Sequence, residues 1–274
     1  MRVWNSSDCQ QVRQLSNAGR SVSALAISPN GLLAAAALEN HSIRIWDTET
    51  GKSLHELSGH AAPPLHLAFA KDGKRLISAG TDATLRIWDL DRPGEAKLCK
   101  GHSGAIYFAE FLAGDGRVIS AGEDGTLRLW DPSDGQELQQ RKLPLKDRPA
   151  MAVAPTGDFA YVAHKPPYGG GAVSVWNLES GSEVGQLLVR SPAVEGLHLA
   201  FNGRFLISAE SSDNATVWDL RSPGQPFCEL AIPRPVGAGL AFTSTAGYAV
   251  LAGRDGVLRS WDLPVYRILQ NREN

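Results

Sequence analysis

The sequence predicts an all-β fold of stacked four-stranded antiparallel sheets, a β-propeller, and three observations carry that expectation. A five-residue phrase recurs at Ile43-Arg44-Ile45-Trp46-Asp47, Leu85-Arg86-Ile87-Trp88-Asp89 and Leu127-Arg128-Leu129-Trp130-Asp131. Looser copies end at Trp4, Trp176, Trp218 and Trp261, so all seven tryptophans are used, at steps of 42, 42, 42, 46, 42 and 43 residues. A period of this length marks one supersecondary unit stacking on the next. Between the phrases, short apolar runs alternate with Gly- and Asp-rich turns, the pattern of strands rather than helices. Within a phrase, Leu85 and Ile87 point to one side of a strand, and Arg86 and Trp88 to the other. Both faces of each sheet therefore need a neighbour, which radial stacking supplies.

The unit ending at Trp88 shows each element in order. Leu65-His66-Leu67-Ala68-Phe69 alternates at period 2 and runs into the turn Lys71-Asp72-Gly73-Lys74. Arg75-Leu76-Ile77-Ser78-Ala79 follows, then a tight turn through Gly80-Thr81-Asp82, then Ala83 to Trp88. A turn from Asp89 to Gly94 leads to a last run near Ala96-Lys97-Leu98-Cys99. Four strands of about 5–6 residues with loops of about 2–5 make up the period. Leu32-Leu33-Ala34-Ala35-Ala36-Ala37-Leu38 dissents, since propensity alone favours helix there. Its equivalents in the other units, such as Leu76-Ile77-Ser78-Ala79 and Val118-Ile119-Ser120-Ala121, read as strands, so the repeat overrides the local signal.

These residues resemble the WD40-repeat propellers. Beyond Trp-Asp, two units carry Gly59-His60 and Gly101-His102, each His 28 residues before its Trp. Ser78 and Asp82 stand ten and six residues before Trp88, as do Ser120 and Asp124 before Trp130. The resemblance implies two buried hydrogen-bonded tetrads, His60–Ser78–Asp82–Trp88 and His102–Ser120–Asp124–Trp130, with Asp accepting from His and Ser. Other units depart from the pattern. Ala18, Ala36 and Asn40 replace the trio before Trp46, and the unit at Trp218 keeps Ser208 but shifts its acid to Asp213. The unit at Trp176 lacks the Asp and carries four extra residues around Lys165 to Gly171. Apolar packing must hold these units.

One propeller domain is expected over residues 1–274, with residues 1–17 supplying only the third and fourth strands of a partial blade and 18–274 giving six full repeats. This is a seven-bladed plan with one incomplete blade; the alternative is a six-bladed ring with an extra N-terminal hairpin. An incomplete blade exposes strand edges and apolar faces, so the chain is expected to be the C-terminal part of a longer propeller protein or to begin at an internal methionine.

Composition sets the remaining bounds. The formal net charge is −2, from 27 Lys plus Arg against 29 Asp plus Glu, which argues against a nucleic-acid partner. No apolar run approaches the roughly 18 residues of a membrane span, and no signal-peptide segment opens the chain. Cys9, Cys99 and Cys228 are odd in number and far apart, which suits a reducing, cytoplasmic setting. No metal spacing, nucleophile elbow or carboxylate pair stands out, and Thr50-Gly51-Lys52-Ser53 lacks the first glycine of a phosphate loop, whose place Trp46 takes.

The expected function is thus a non-catalytic scaffold without metal or cofactor, binding protein or peptide partners through its loop face. The alternative is a C-terminal sensory or docking module of a longer multidomain enzyme, such as a kinase. Candidate partner-binding residues are Lys146, Arg148, Lys165, Tyr168, Arg190 and Arg254, in the loops that the resemblance places on the recognition face. An acidic or phosphorylated peptide suits them, and membership of a larger chain or complex is expected.

Overall fold

The computed structural model describes residues 2–5, 10–15, 21–112, 116–143, 149–164, 171–191, 193–200, 203–210, 214–222, 224–231, 236–242, 248–253 and 258–262. They form strands and turns, with no helix among the described residues. Contacts divide the chain into two compact units, residues 1–4 with 11–148, and 5–10 with 149–274.

The first unit opens with a two-stranded sheet of β1 (Arg2–Trp4) and β2 (Gln11–Gln14). Three four-stranded meanders follow. They are β3 (Val22–Ile27), β4 (Leu33–Leu38), β5 (Ile43–Asp47) and β6 (Ser53–Leu57); β7 (Pro64–Phe69), β8 (Arg75–Gly80), β9 (Thr84–Asp89) and β10 (Ala96–Lys100); and β11 (Ile106–Phe111), β12 (Val118–Gly122), β13 (Thr126–Trp130) and β14 (Glu137–Lys142). The second unit holds β15 (Met151–Val153), β16 (Phe159–His164), β17 (Gly171–Asn177) and β18 (Ser182–Val189), then β19 (Val194–Ala200), β20 (Phe205–Glu210), β21 (Asn214–Asp219) and β22 (Cys228–Ala231). Three further strands are β23 (Val236–Phe242), β24 (Tyr248–Gly253) and β25 (Leu258–Asp262). All pairings are antiparallel between consecutive strands, the pattern of tight turns that cannot support crossovers.

The alanine run that favours helix locally is β4. Ala34, Ala35, Ala36 and Ala37 are all buried, because this strand is sandwiched by sheets on both faces. Small side chains let those sheets approach.

The core is a series of face-to-face contacts, each built around a phrase tryptophan. Val3 and Leu15 of the two-stranded sheet pack against Ala34, Ala36 and Trp46. The other face of that second sheet, with Ala35, Ala37, Ile43 and Ile45, covers Leu67, Leu76 and Trp88. Ile77, Ala79, Leu85 and Ile87 in turn cover Ile106, Val118 and Trp130. In the second unit, Tyr161, Val173 and Leu187 pack with Leu197, Leu206 and Trp218. A fully buried Leu or Ile contributes about 1.5–3 kcal/mol, so the alternating phrase residues dominate cohesion.

Candidate functional site

Two polar networks lie inside this apolar frame, both in the first unit. Trp88 Nε1 donates to Ser78 Oγ at 2.8 Å, and Ser78 Oγ lies 2.7 Å from His60 Nε2. His60 Nδ1 is 2.8 Å from Asp82 Oδ2, which also accepts the Ala61 N–H at 2.9 Å. The second copy repeats the distances: Trp130 to Ser120 2.8 Å, Ser120 to His102 2.8 Å, His102 to Asp124 2.9 Å, and the Ser103 N–H to Asp124 3.1 Å. The eight residues singled out for the tetrads are thus brought together in two sets of four.

The order of contacts differs from the expected one. Serine touches tryptophan and histidine, not aspartate; the aspartate's second oxygen is taken by Thr84 Oγ1 at 2.8 Å and by Thr126 Oγ1 at 2.7 Å. These threonines, four residues before each Trp, are members that sequence reasoning missed; their recurrence two residues after each Asp was the available signal. One proton arrangement satisfies every group: His Nδ1–H donates to Asp, and the serine hydroxyl accepts from Trp and donates to His Nε2. That arrangement requires neutral histidine. Burial lowers the pKa of His60 and His102 against the opposing pull of Asp82 and Asp124, consistent with it. Burial alone would raise the Asp124 carboxyl, but hydrogen bonds from Thr126 and Ser103 and the neighbouring His102 hold it down to about 2.

Glycine before each histidine has a steric cause. A Cβ at Gly101 would lie 2.6 Å from the guanidinium of buried Arg128 and 3.2 Å from the Trp130 ring, while Gly59 takes a φ of +151°, which side chains rarely adopt. Arg128 itself is buried, donating to Glu137 at 2.5 Å and to Thr126 at 3.0 Å. Arg44 and Glu56 form the matching pair at 2.6 Å. Arg44 and Arg128 are therefore committed within their own sheets.

The second unit replaces the tetrads. Ser174 and Thr216 stand where the phrases of the first unit have Arg; Ser174 donates to Glu183 at 2.9 Å and lies 2.8 Å from His164 Nε2. Thr216 donates to Glu210 at 2.5 Å. Glu210 is buried as the last residue of β20. Among the described residues, Nε1 of Trp176 and of Trp218 reaches no hydrogen-bond partner.

Of the candidate partner-binding residues, Arg190 projects outward, 88% exposed, with Glu229 at 3.4 Å. Lys146, Arg148, Lys165, Tyr168 and Arg254 lie outside the described residues, as does Asp213. Around the first unit's networks, Glu39, Thr81 and Glu123 are exposed in the middle turns. The polar side chains of the two networks are spent on their neighbours.

Two family profiles match the chain. That of the WD domain, G-beta repeat, matches residues 51–89 and 95–131, and that of the Anaphase-promoting complex subunit 4 WD40 domain matches residues 2–65. No curated protein matches it.

Proposed function

The chain belongs to the WD40-repeat family, and from that premise we propose that it is a non-catalytic interaction platform whose loop face binds an acidic or phosphorylated peptide. WD40 repeats generally mediate protein–protein interaction. The observation that carries the reading is how the networks are used. His60, Ser78 and Asp82, like His102, Ser120 and Asp124, saturate one another under the turns, which stiffens the loop rim and leaves no poised nucleophile or base there. Loops on a rigid scaffold are the usual place for recognition. The Lys165 to Gly171 insertion supplies an aromatic, Tyr168, and Lys146, Arg148, Arg190 and Arg254 supply positive charge in the rim loops. Such charge sets the on-rate for an acidic partner, and an aromatic anchor sets the off-rate. The free thiols of Cys99 and Cys228 suit a reducing, cytoplasmic location.

The test is a pull-down from native lysate comparing wild type with Tyr168→Ala/Arg148→Glu at physiological salt. Loss of a specific partner in the variant is expected. Retention of every partner overturns the assignment of this patch.

A further inference from the structure

Arg86 is the exception among the phrase arginines of the first unit's four-stranded sheets. Arg44 meets Glu56, which stands directly opposite on β6, at 2.6 Å. Arg128 meets Glu137 at 2.5 Å and Asp124 at 3.5 Å. Opposite Arg86 stands Leu98. Nε of Arg86 is buried without a hydrogen-bond partner, and among the described residues no carboxylate pairs with its guanidinium. The cause is strand register. A bulge between β13 and β14 sets Glu137 opposite Trp130, on the face that Arg128 shares. β9 and β10 pair without one, so Ala96 stands opposite Trp88. Glu95 follows its tryptophan at the same interval as Glu137, yet it turns to the other face and lines a cavity with Ile87 and Lys97. Asp82 is spent on His60, Thr84 and the Ala61 N–H.

A Cβ on Gly59 would lie 2.8 Å from Nη1 of Arg86, which puts the guanidinium beside the loop leading into His60. Exposed Lys100, opposite Thr84, shares that face of β9 and β10, so the local field is positive. A half-buried cation has lost part of its hydration, and an anion that meets it restores what water gave. The neighbouring sheets show which anion fits, a side-chain carboxylate held on the guanidinium fork.

We propose that Arg86 is a carboxylate-binding site, taking one aspartate or glutamate side chain of a polypeptide that reaches it from beyond the described residues. That polypeptide is a second molecule or another stretch of this chain; the chemistry is the same, and the experiment separates the two. The site is independent of the Tyr168–Arg148 patch, so either can fail alone.

The test uses the full chain with isotopically labelled arginine, the Nε–Hε resonance of Arg86 being identified by its loss in Arg86→Lys. The probe is the peptide acetyl-Gly-Glu-Gly-amide, with acetyl-Gly-Gln-Gly-amide as control, at constant ionic strength. A saturable shift of the Arg86 resonance is expected if the carboxylate comes from a second molecule. It should be at least tenfold weaker with the Gln peptide and abolished by Leu98→Glu, which sets a carboxylate opposite Arg86 as Glu56 stands opposite Arg44. Arg128, already paired, should not move. If the carboxylate belongs to this chain, carbodiimide should couple the amine introduced by Arg86→Lys to a single Asp or Glu outside the described residues, read by mass spectrometry without peptide. Arg128→Lys, coupling to Glu137, shows that such an amine reacts. Neither a shift nor such a coupling overturns the site, and so does an equal response to the Gln peptide or an equal shift of Arg128.

Discussion

At the scale of single residues, Asp82 and Asp124 each hold four functions in one carboxylate: a histidine, a threonine hydroxyl and two backbone N–H groups converge on it. Removing the carboxylate leaves a buried imidazole N–H and the turn's amides without acceptors. Asp82→Ala and Asp124→Ala should each destabilise the fold by about 2–4 kcal/mol, the range for a buried polar network that loses a member. Asp72 also caps a turn, accepting the Lys74 N–H at 2.8 Å, but it is exposed and water can replace it. Asp72→Ala should stay within about 0.5 kcal/mol. Urea midpoints of the three variants check this, and equal small shifts would show that the networks contribute little.

At the scale of elements, two first strands carry titratable groups that burial perturbs strongly. Desolvation lowers His66 on β7 to about 4, although its ring bonds to the Ala109 backbone, and it pushes Glu110 on β11 up to about 7. The two act on opposite limbs of the pH profile. Glu110 is favoured protonated in the fold, so its contribution is intact below about 4.5 and is lost as pH rises through about 7. His66 is favoured neutral, so stability falls as pH drops from 6.5 towards about 4, and His60 and His102 act in the same direction. Glu110→Gln should therefore match wild type near pH 4.5 and exceed it above pH 7 by on the order of 2 kcal/mol. Denaturation at pH 4.5, 7 and 9 reads this, and a constant difference at all three would show that ionisation of Glu110 is not involved.

At the scale of the whole molecule, the unequal strand numbers of the sheets matter most. Within the first unit, the two-stranded β1–β2 sheet packs against the four-stranded β3–β6 sheet, where Leu25 and Ile27 stay exposed. Fusing a hairpin of residues 21–41 ahead of Arg2 with a short turn should cover that face. The gain comes from burying Leu25 and Ile27 together with the hairpin's own apolar side chains, at about 25 cal/mol per Å². Thermal melts and light scattering should show a higher midpoint and less aggregation, because an open strand edge is also closed. An unchanged midpoint would show that the added hairpin does not cover that face.

The sequence by itself determined the unit, its period and its four strands, because alternation and turn chemistry are local and the phrase repeats in phase; the tetrad residues followed from the resemblance its motif carries. It also outweighed a wrong local signal, since Leu32–Leu38 could be compared with its equivalents, and its strand form rests on packing rather than propensity. Tertiary structure alone decided the contacts within the site. Serine bonds tryptophan rather than aspartate because β8 and β9 set Ser78 beside the indole, a cross-strand relation that sequence spacing leaves open. Burial of Glu210 depends on where β20 ends, which turn signals locate only to within a few residues. The exposure of Leu25 and Ile27 is legible in neither residue. They have the same alternation as the buried Leu67, and only the number of strands stacked above them separates an open face from a closed core.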